Sequence, residues 1–164
     1  MRVKGAFAKL CVAMNQQLVP VLNSAGFSSN DTPFRRDQVR YEFRRWRSEE
    51  RTEVVAVLFN RGREALFSVQ LYIEPRQGVP AFLAAGGALD IAGLSAAWAW
   101  WPRGVVPFRA APTFFDRLRG HRVLDVDRPI QQFAAVLTHA ENWFRERTRS
   151  RFVVAGRLSV RRPA

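Results

Sequence analysis

Cysteine and histidine are almost missing from this sequence, and lysine nearly so. One cysteine, Cys11, occurs in 164 residues. It can form no internal disulfide and no cysteine-built zinc site. Its place on the apolar side of a helical stretch reads as a small buried hydrophobe rather than a reactive thiol. The two histidines, His121 and His139, have no cysteine or carboxylate at ligand spacing, so both read as surface or capping residues. Gly86-Gly87 lacks the lysine and hydroxyl residue of a phosphate loop, and Gly93 is misplaced for a dinucleotide fingerprint. A nucleophile elbow, a metal-binding histidine pair and a kinase signature are missing too. No cofactor or metal is implied. The most apolar stretch, Ala81 to Trp101, carries Asp90 and three glycines, so no membrane span is expected. After Met1-Arg2-Val3-Lys4 the residues are amphipathic and no small-residue cleavage site follows. A secretory signal is therefore not expected, and the cytoplasm is the expected compartment.

What the chain has in quantity is arginine and large aromatics. The formal net charge is +12, and Lys4 and Lys9 are the only lysines among 26 basic residues. The charge favours anionic partners, whereas the choice of arginine over lysine can follow from genomic base composition. With 48% hydrophobic residues, 13 Phe and 5 Trp, one packed core forms without metal or disulfide support. The expected organisation is one domain over residues 1–150, followed by a basic C-terminal tail, 151–164, whose Phe152-Val153-Val154 is able to add a strand.

From Ala6 to Ala25 the apolar residues Phe7, Leu10, Cys11, Met14, Leu18, Val21 and Leu22 recur at three- and four-residue steps, which predicts a helix. Pro20 should kink it or begin its last turn, and Gly26-Phe27 has the form of a glycine C-cap. From Phe34 to Trp46 the period becomes two, with Val39, Tyr41 and Phe43 on one face and Arg40, Glu42 and Arg44 on the other. Val54 to Phe59 is a β-branched run suited to a central strand. After the turn Asn60-Arg61-Gly62-Arg63, Ala65 to Ile73 resumes alternation. Residues 81–112 resist assignment: Trp98, Trp100 and Trp101 alternate with alanine in a way that suits a strand or a helix end. Phe114 to Leu118 reads as a helical turn and Arg122 to Val126 as a short strand. Arg128-Pro129 opens a helix that runs to about Arg147, with Ile130, Phe133, Ala134, Leu137, Ala140 and Phe144 on its apolar face. The fold class is α+β: an antiparallel β-meander with N-terminal and C-terminal helices packed on one face.

Two constellations bear on chemistry. Asp125 and Asp127 would share a face if 122–126 were a strand, as paired acids require, but Asp127 before Arg128-Pro129 reads more simply as a helix cap or salt-bridge partner. Asp90, His121 and Asp125 are the natural suspects for an enzyme. The stronger cluster is Arg35, Arg36, Arg40, Arg44, Arg45, Arg47 and Arg51, interleaved with Phe34, Tyr41, Phe43 and Trp46. Strand alternation puts Arg36, Arg40 and Arg44 on the face of Trp46, with Arg35, Arg45 and Arg47 flanking the buried set. Guanidinium groups pair with carboxylate or phosphate and stack on aromatic rings. The seven arginines and Trp46 are therefore the expected partner-binding set, and the plain alternative is a solvated sheet face paired with Glu42 and Glu53.

The segment Leu18-Val19-Pro20-Val21-Leu22, then Gly26-Phe27, a polar loop, Phe34-Arg35-Arg36 and a meander, resembles a family of small bacterial domains of unknown function found in toxin-immunity neighbourhoods. The likeness runs to about Pro75. It implies a non-catalytic, immunity-type inhibitor that captures an acidic protein partner, a cognate toxin domain. A sequence-tolerant nucleic-acid binder is the alternative, with Trp46 and Tyr41 available for stacking.

Overall fold

The structure, a computed structural model, describes residues 3–29, 34, 38–60, 64–96, 105–110, 118, 120 and 123–159. Six antiparallel strands form one sheet in the order β1-β2-β3-β4-β6, with β5 beside β3. The strands are β1 (Arg40–Ser48), β2 (Arg51–Phe59), β3 (Leu66–Glu74), β4 (Ala88–Leu94), β5 (Phe108–Arg109) and β6 (Val153–Ser159). The helices are α1 (Val3–Ala13), α2 (Val19–Ser24), α3 (Val79–Ala84) and α4 (Asp127–Glu146). The fold is α+β, with the N-terminal and C-terminal helices on one face of the sheet.

The apolar stripe read between Ala6 and Ala25 is helical throughout, but a π-helical turn, Met14–Leu18, divides it. Val19 N–H reaches back five residues to Met14 C=O. Pro20, which has no N–H, sits in the first turn of α2, directly after this wider turn. The helix ends as its sequence suggests. Gly26 takes φ 84°, its N–H donates to Asn23 C=O, and Phe27 N–H donates to Leu22 C=O. These are the paired bonds of a Schellman cap.

Pairing sets the inner face of the sheet row by row. Phe43 lies opposite Val55, Val55 opposite Leu71, Leu71 opposite Ala92, and Ala92 opposite Ala155. Phe7, Leu10, Met14, Leu18, Leu22, Phe133, Trp143 and Phe144 pack onto this face from the helices. Phe67 stacks on Phe108 with ring centroids 5.0 Å apart and an interplanar angle of 11°. On the opposite face α3 lays Val79, Phe82 and Leu83 against Val54, Ala56, Tyr72 and Leu89.

Several expectations shift. β1 begins at Arg40, and Val39, expected inward, is exposed. On α4 the buried stripe runs through Phe133, Val136, Ala140, Trp143 and Phe144, while Ala134 is exposed. Residues 123–126 form no strand. The first strand beyond the meander is β4, in the stretch that resisted assignment, and β6 adds the tail strand. Trp98, Trp100, Trp101, Gly62, Phe114 and His121 lie outside the described residues. Among the described residues no helix is long and apolar enough to cross a membrane.

Phe67→Ala empties the stacked position at the centre of the sheet and is expected to cost about 3–5 kcal/mol. Chemical denaturation should show a lower midpoint at unchanged slope; a loss below about 1 kcal/mol would mean that the core is not organised around this residue.

Candidate binding surface

The arginine-rich strand β1 obeys strict alternation, and this divides its cations between the two faces of the sheet. Arg40 and Arg44 share the outer face with Trp46, as expected. Arg45 points inward beneath the helices and is only 6% exposed. Arg47 and Arg51 join it at the hairpin end. Arg35 and Arg36 lie outside the described residues. The single cationic face therefore does not form among the described residues, and Arg45 is a buried structural ion rather than a contact residue.

On the outer face Arg40 Nε donates to Glu42 Oε1 at 2.7 Å, and Arg44 Nη2 donates to Glu42 Oε2 at 2.5 Å. Arg44 Nε reaches Glu74 Oε2 on β3 at 2.9 Å. Tyr72 Oη donates to Glu42 Oε1 at 2.8 Å. Burial, aided by that hydrogen bond to Glu42, pushes the Tyr72 phenol up to about 12, so it stays a donor. Hydrogen bonding to Glu74 lifts Arg44 above its already high value. Two arginines and two glutamates make this patch neutral. Being half-exposed, each pair contributes at most about 1 kcal/mol.

The inner cluster is denser. All five N–H donors of Arg45 are used: Nε and Nη2 to Glu53 Oε2 at 2.8 and 2.7 Å, Nη1 and Nη2 to the Glu141 carboxylate at 2.6 and 2.7 Å, and Nη1 to Ala25 C=O at 2.7 Å. The guanidinium also lies 4.1 Å from the Phe27 ring centroid. Glu53 accepts further from Arg47 at 3.2 Å and from Arg51 at 2.9 Å, and Arg51 donates to Phe144 C=O. Burial alone would raise the Glu53 carboxyl, but the hydrogen bonds from Arg45, Arg51 and Arg47 outweigh it and hold Glu53 below its ordinary value. Glu42 is likewise held down by Arg40, Tyr72 and Arg44 against its own desolvation.

The acids that neutralise these arginines include Glu74 and Glu141, far away in sequence. This is why counting neighbours in the chain overstates the free charge. The chain holds 26 basic and 14 acidic residues; of these, 15 and 11 fall among the described residues.

Trp46 remains open to solvent at 71% exposure, above a groove of about 540 Å³ bordered by Glu49, Glu50, Glu74 and Arg76. Tyr41, expected to be available for stacking, is 2% exposed and packs edge-on against Phe34. Three arginines outside the expected binding set meet at the same end of the sheet: Arg147 and Arg149 after α4, and Arg157 on β6. Only the fold brings them together, because they come from different elements.

Asp90 and Asp125, the described residues of the enzyme reading, do not converge. Asp125 Oδ1 accepts from Asp127 N–H and Arg128 N–H, both at 3.1 Å, and so caps α4; Asp127 Oδ1 accepts from Gln17 at 2.5 Å. Capping is the observed use, with Asp125 as the capping side chain. Asp90 pairs with Arg157 at 3.4 Å near the opposite end of α4, a helix of 20 residues that is about 30 Å long. His139 packs on Phe152 with centroids 4.8 Å apart. Among the described residues no three His, Cys, Asp or Glu side chains gather as a metal site would require. The chain matches no protein-family model, no curated protein and no solved structure.

Glu53→Gln leaves the guanidinium groups of Arg45, Arg47 and Arg51 with the Glu141 carboxylate as their one remaining acid among the described residues and is expected to cost about 3–5 kcal/mol. The pH dependence has a definite sign. Carboxyls held below 4.5 in the folded state contribute fully above that value, and their contribution is lost as pH falls through the lower folded value. Unfolding midpoints should therefore be level down to about pH 4.5 and then fall. The fall should be shallower in Glu53→Gln; an identical acid limb would show that Glu53 is not held down.

Proposed function

We propose that the protein is a non-catalytic binding module that captures a protein partner through the end of the sheet around Trp46, in the manner of an immunity-type inhibitor holding a toxin domain. The observation that carries this reading is Trp46 itself. A large indole standing 71% exposed on a hydrogen-bonded strand leaves apolar area in water that a partner would cover. Covering it is worth about 2–4 kcal/mol. On the opposite, helix-side face of the same strand end, Arg47 keeps half of its side chain in solvent while anchored on Glu53, so a partner that wraps this end of the sheet meets an ion already ordered by the fold. Tryptophan and arginine are the residue types that most often dominate interface energy.

The nucleic-acid reading draws less support. A stacking platform needs successive aromatic rings, and burial of Tyr41 leaves Trp46 alone on this strand. The immunity character rests on the short likeness around Leu18-Val19-Pro20-Val21-Leu22, whereas capture of a protein rests on the surface.

Co-expression with the products of adjacent genes should yield a one-to-one complex that survives size exclusion. Trp46→Ala should weaken that complex about 30-fold, the equivalent of about 2 kcal/mol, while shifting stability by less than about 0.5 kcal/mol. If no neighbour binds, and a single-stranded oligonucleotide is retained on a filter with a steep salt dependence, the nucleic-acid alternative replaces this reading.

A further inference from the structure

Strand β6 is paired on one side only. Its seven residues align with β4 in unbroken register from Val153 opposite Leu94 to Ser159 opposite Ala88, and no described strand lies beyond it. Backbone groups of an antiparallel strand alternate between its two neighbours. Phe152 C=O accepts from Ser95 N–H at 2.8 Å, so residues 154, 156 and 158 turn their backbone groups toward β4. Val153, Ala155, Arg157 and Ser159 then turn theirs outward. Val153 N–H is used locally by Ser150 C=O, which leaves the outward groups of Ala155, Arg157 and Ser159 without a described backbone partner. Residues 155–159 are all exposed, and no proline or bulge blunts the edge.

Beside this edge lies a groove of about 420 Å³, on the helix side of the sheet where α4 ends. Arg147, Arg149 and Arg157 line it, with Trp143 as its floor and Asp90 as its one acid. Arg147 adopts a left-handed φ of 54°, which holds its guanidinium 4.4 Å from the Trp143 centroid. Neither Arg147 nor Arg149 makes an ion pair with a described residue. Burial, and then the nearby Arg51 charge, lower the pKa of Arg147 and outweigh the attraction of Asp90 and Glu53, so an incoming carboxylate would add to a field that these acids only partly supply.

We infer that the free edge of β6 accepts an extended acidic segment of a partner protein as a seventh strand, its alternate Asp or Glu side chains entering the groove of Arg147, Arg149 and Arg157. The inference rests on the partner-binding reading and specifies the partner's chemistry. Backbone pairing would supply affinity along Ala155, Arg157 and Ser159, and the three guanidinium groups would select acids at every second position.

The probe is a fluorescein-labelled peptide, Thr-Glu-Val-Glu-Val-Glu-Thr, compared with its counterpart bearing Gln in place of Glu, both titrated against the whole chain at low ionic strength. The Glu peptide should bind at least about tenfold more tightly and shift the amide resonances of Ala155 and Arg157. The double variant Arg147→Ala, Arg149→Ala should lose about tenfold in affinity. Ala155→Pro removes an outward N–H from an edge strand, where proline is tolerated, and should abolish binding at an unchanged unfolding midpoint. If that variant is destabilised, the amide shifts decide instead. Equal binding of the two peptides overturns the inference, as does a Kd weaker than about 1 mM, or displacement of the peptide by an oligonucleotide or inorganic phosphate at matched charge. A natural partner that holds the double-arginine variant at full strength, yet is weakened by Trp46→Ala, removes this inference and leaves the partner-binding reading standing.

Discussion

Arg45 is the side chain on which the arrangement of helices over the sheet depends. A lone buried cation would be prohibitively costly, and the fold meets that cost by bringing three separate parts of the chain to one guanidinium. Glu53 comes from the neighbouring strand, Glu141 from α4 and Ala25 C=O from the end of α2. Gly26 completes the fit, because a Cβ there would stand 3.2 Å from Arg45 Cδ. The glycine that ends the helix also makes room for the ion that ties it down. The directionality of these five bonds fixes where α2 and α4 end relative to the β1–β2 hairpin, a constraint that apolar packing alone would leave looser.

The meander was legible because its signals are local. Tyr41 and Phe43 alternate with charge, Val54 to Phe59 is β-branched, and Gly26-Phe27 announces a helix end; each depends on residues a few positions apart. β4 was illegible for an equally physical reason. Small residues in and just before it answer to close overhead packing: a Cβ on Gly93 would come within 2.1 Å of Val105 Cγ2, and one on Gly87, the residue preceding the strand, within 2.5 Å of the Phe82 ring. Ala and Gly here record what lies above the strand, and periodicity has no access to that. Asp125 and Asp127 show a related ambiguity, since the same alternate spacing serves a strand face or a helix start, and only the backbone of α4 decides.

The candidate surface was readable in part. Trp46 and Arg47 were singled out from β1 and do stand at the open end of the sheet. The neutralisation of Arg40, Arg44 and Arg45 was not readable, because Glu74 and Glu141 are brought to them by β3 and α4. The meeting of Arg147, Arg149 and Arg157 was not readable for the converse reason: thinly spread in sequence, they converge only through the turn after α4 and the return of β6.

That return has a cost in folding order. β4 acquires its second neighbour from a strand separated from it by the whole of α4, so the chain must close a long loop before the sheet is complete. During synthesis, a ribosome would carry a five-stranded nascent sheet with the Ala88–Leu94 rim open until residues 153–159 emerge. Val153 and Phe152 then seal the apolar layer beneath α4. The late strand thus makes the C-terminal segment the step at which a nascent, association-prone sheet becomes a finished one.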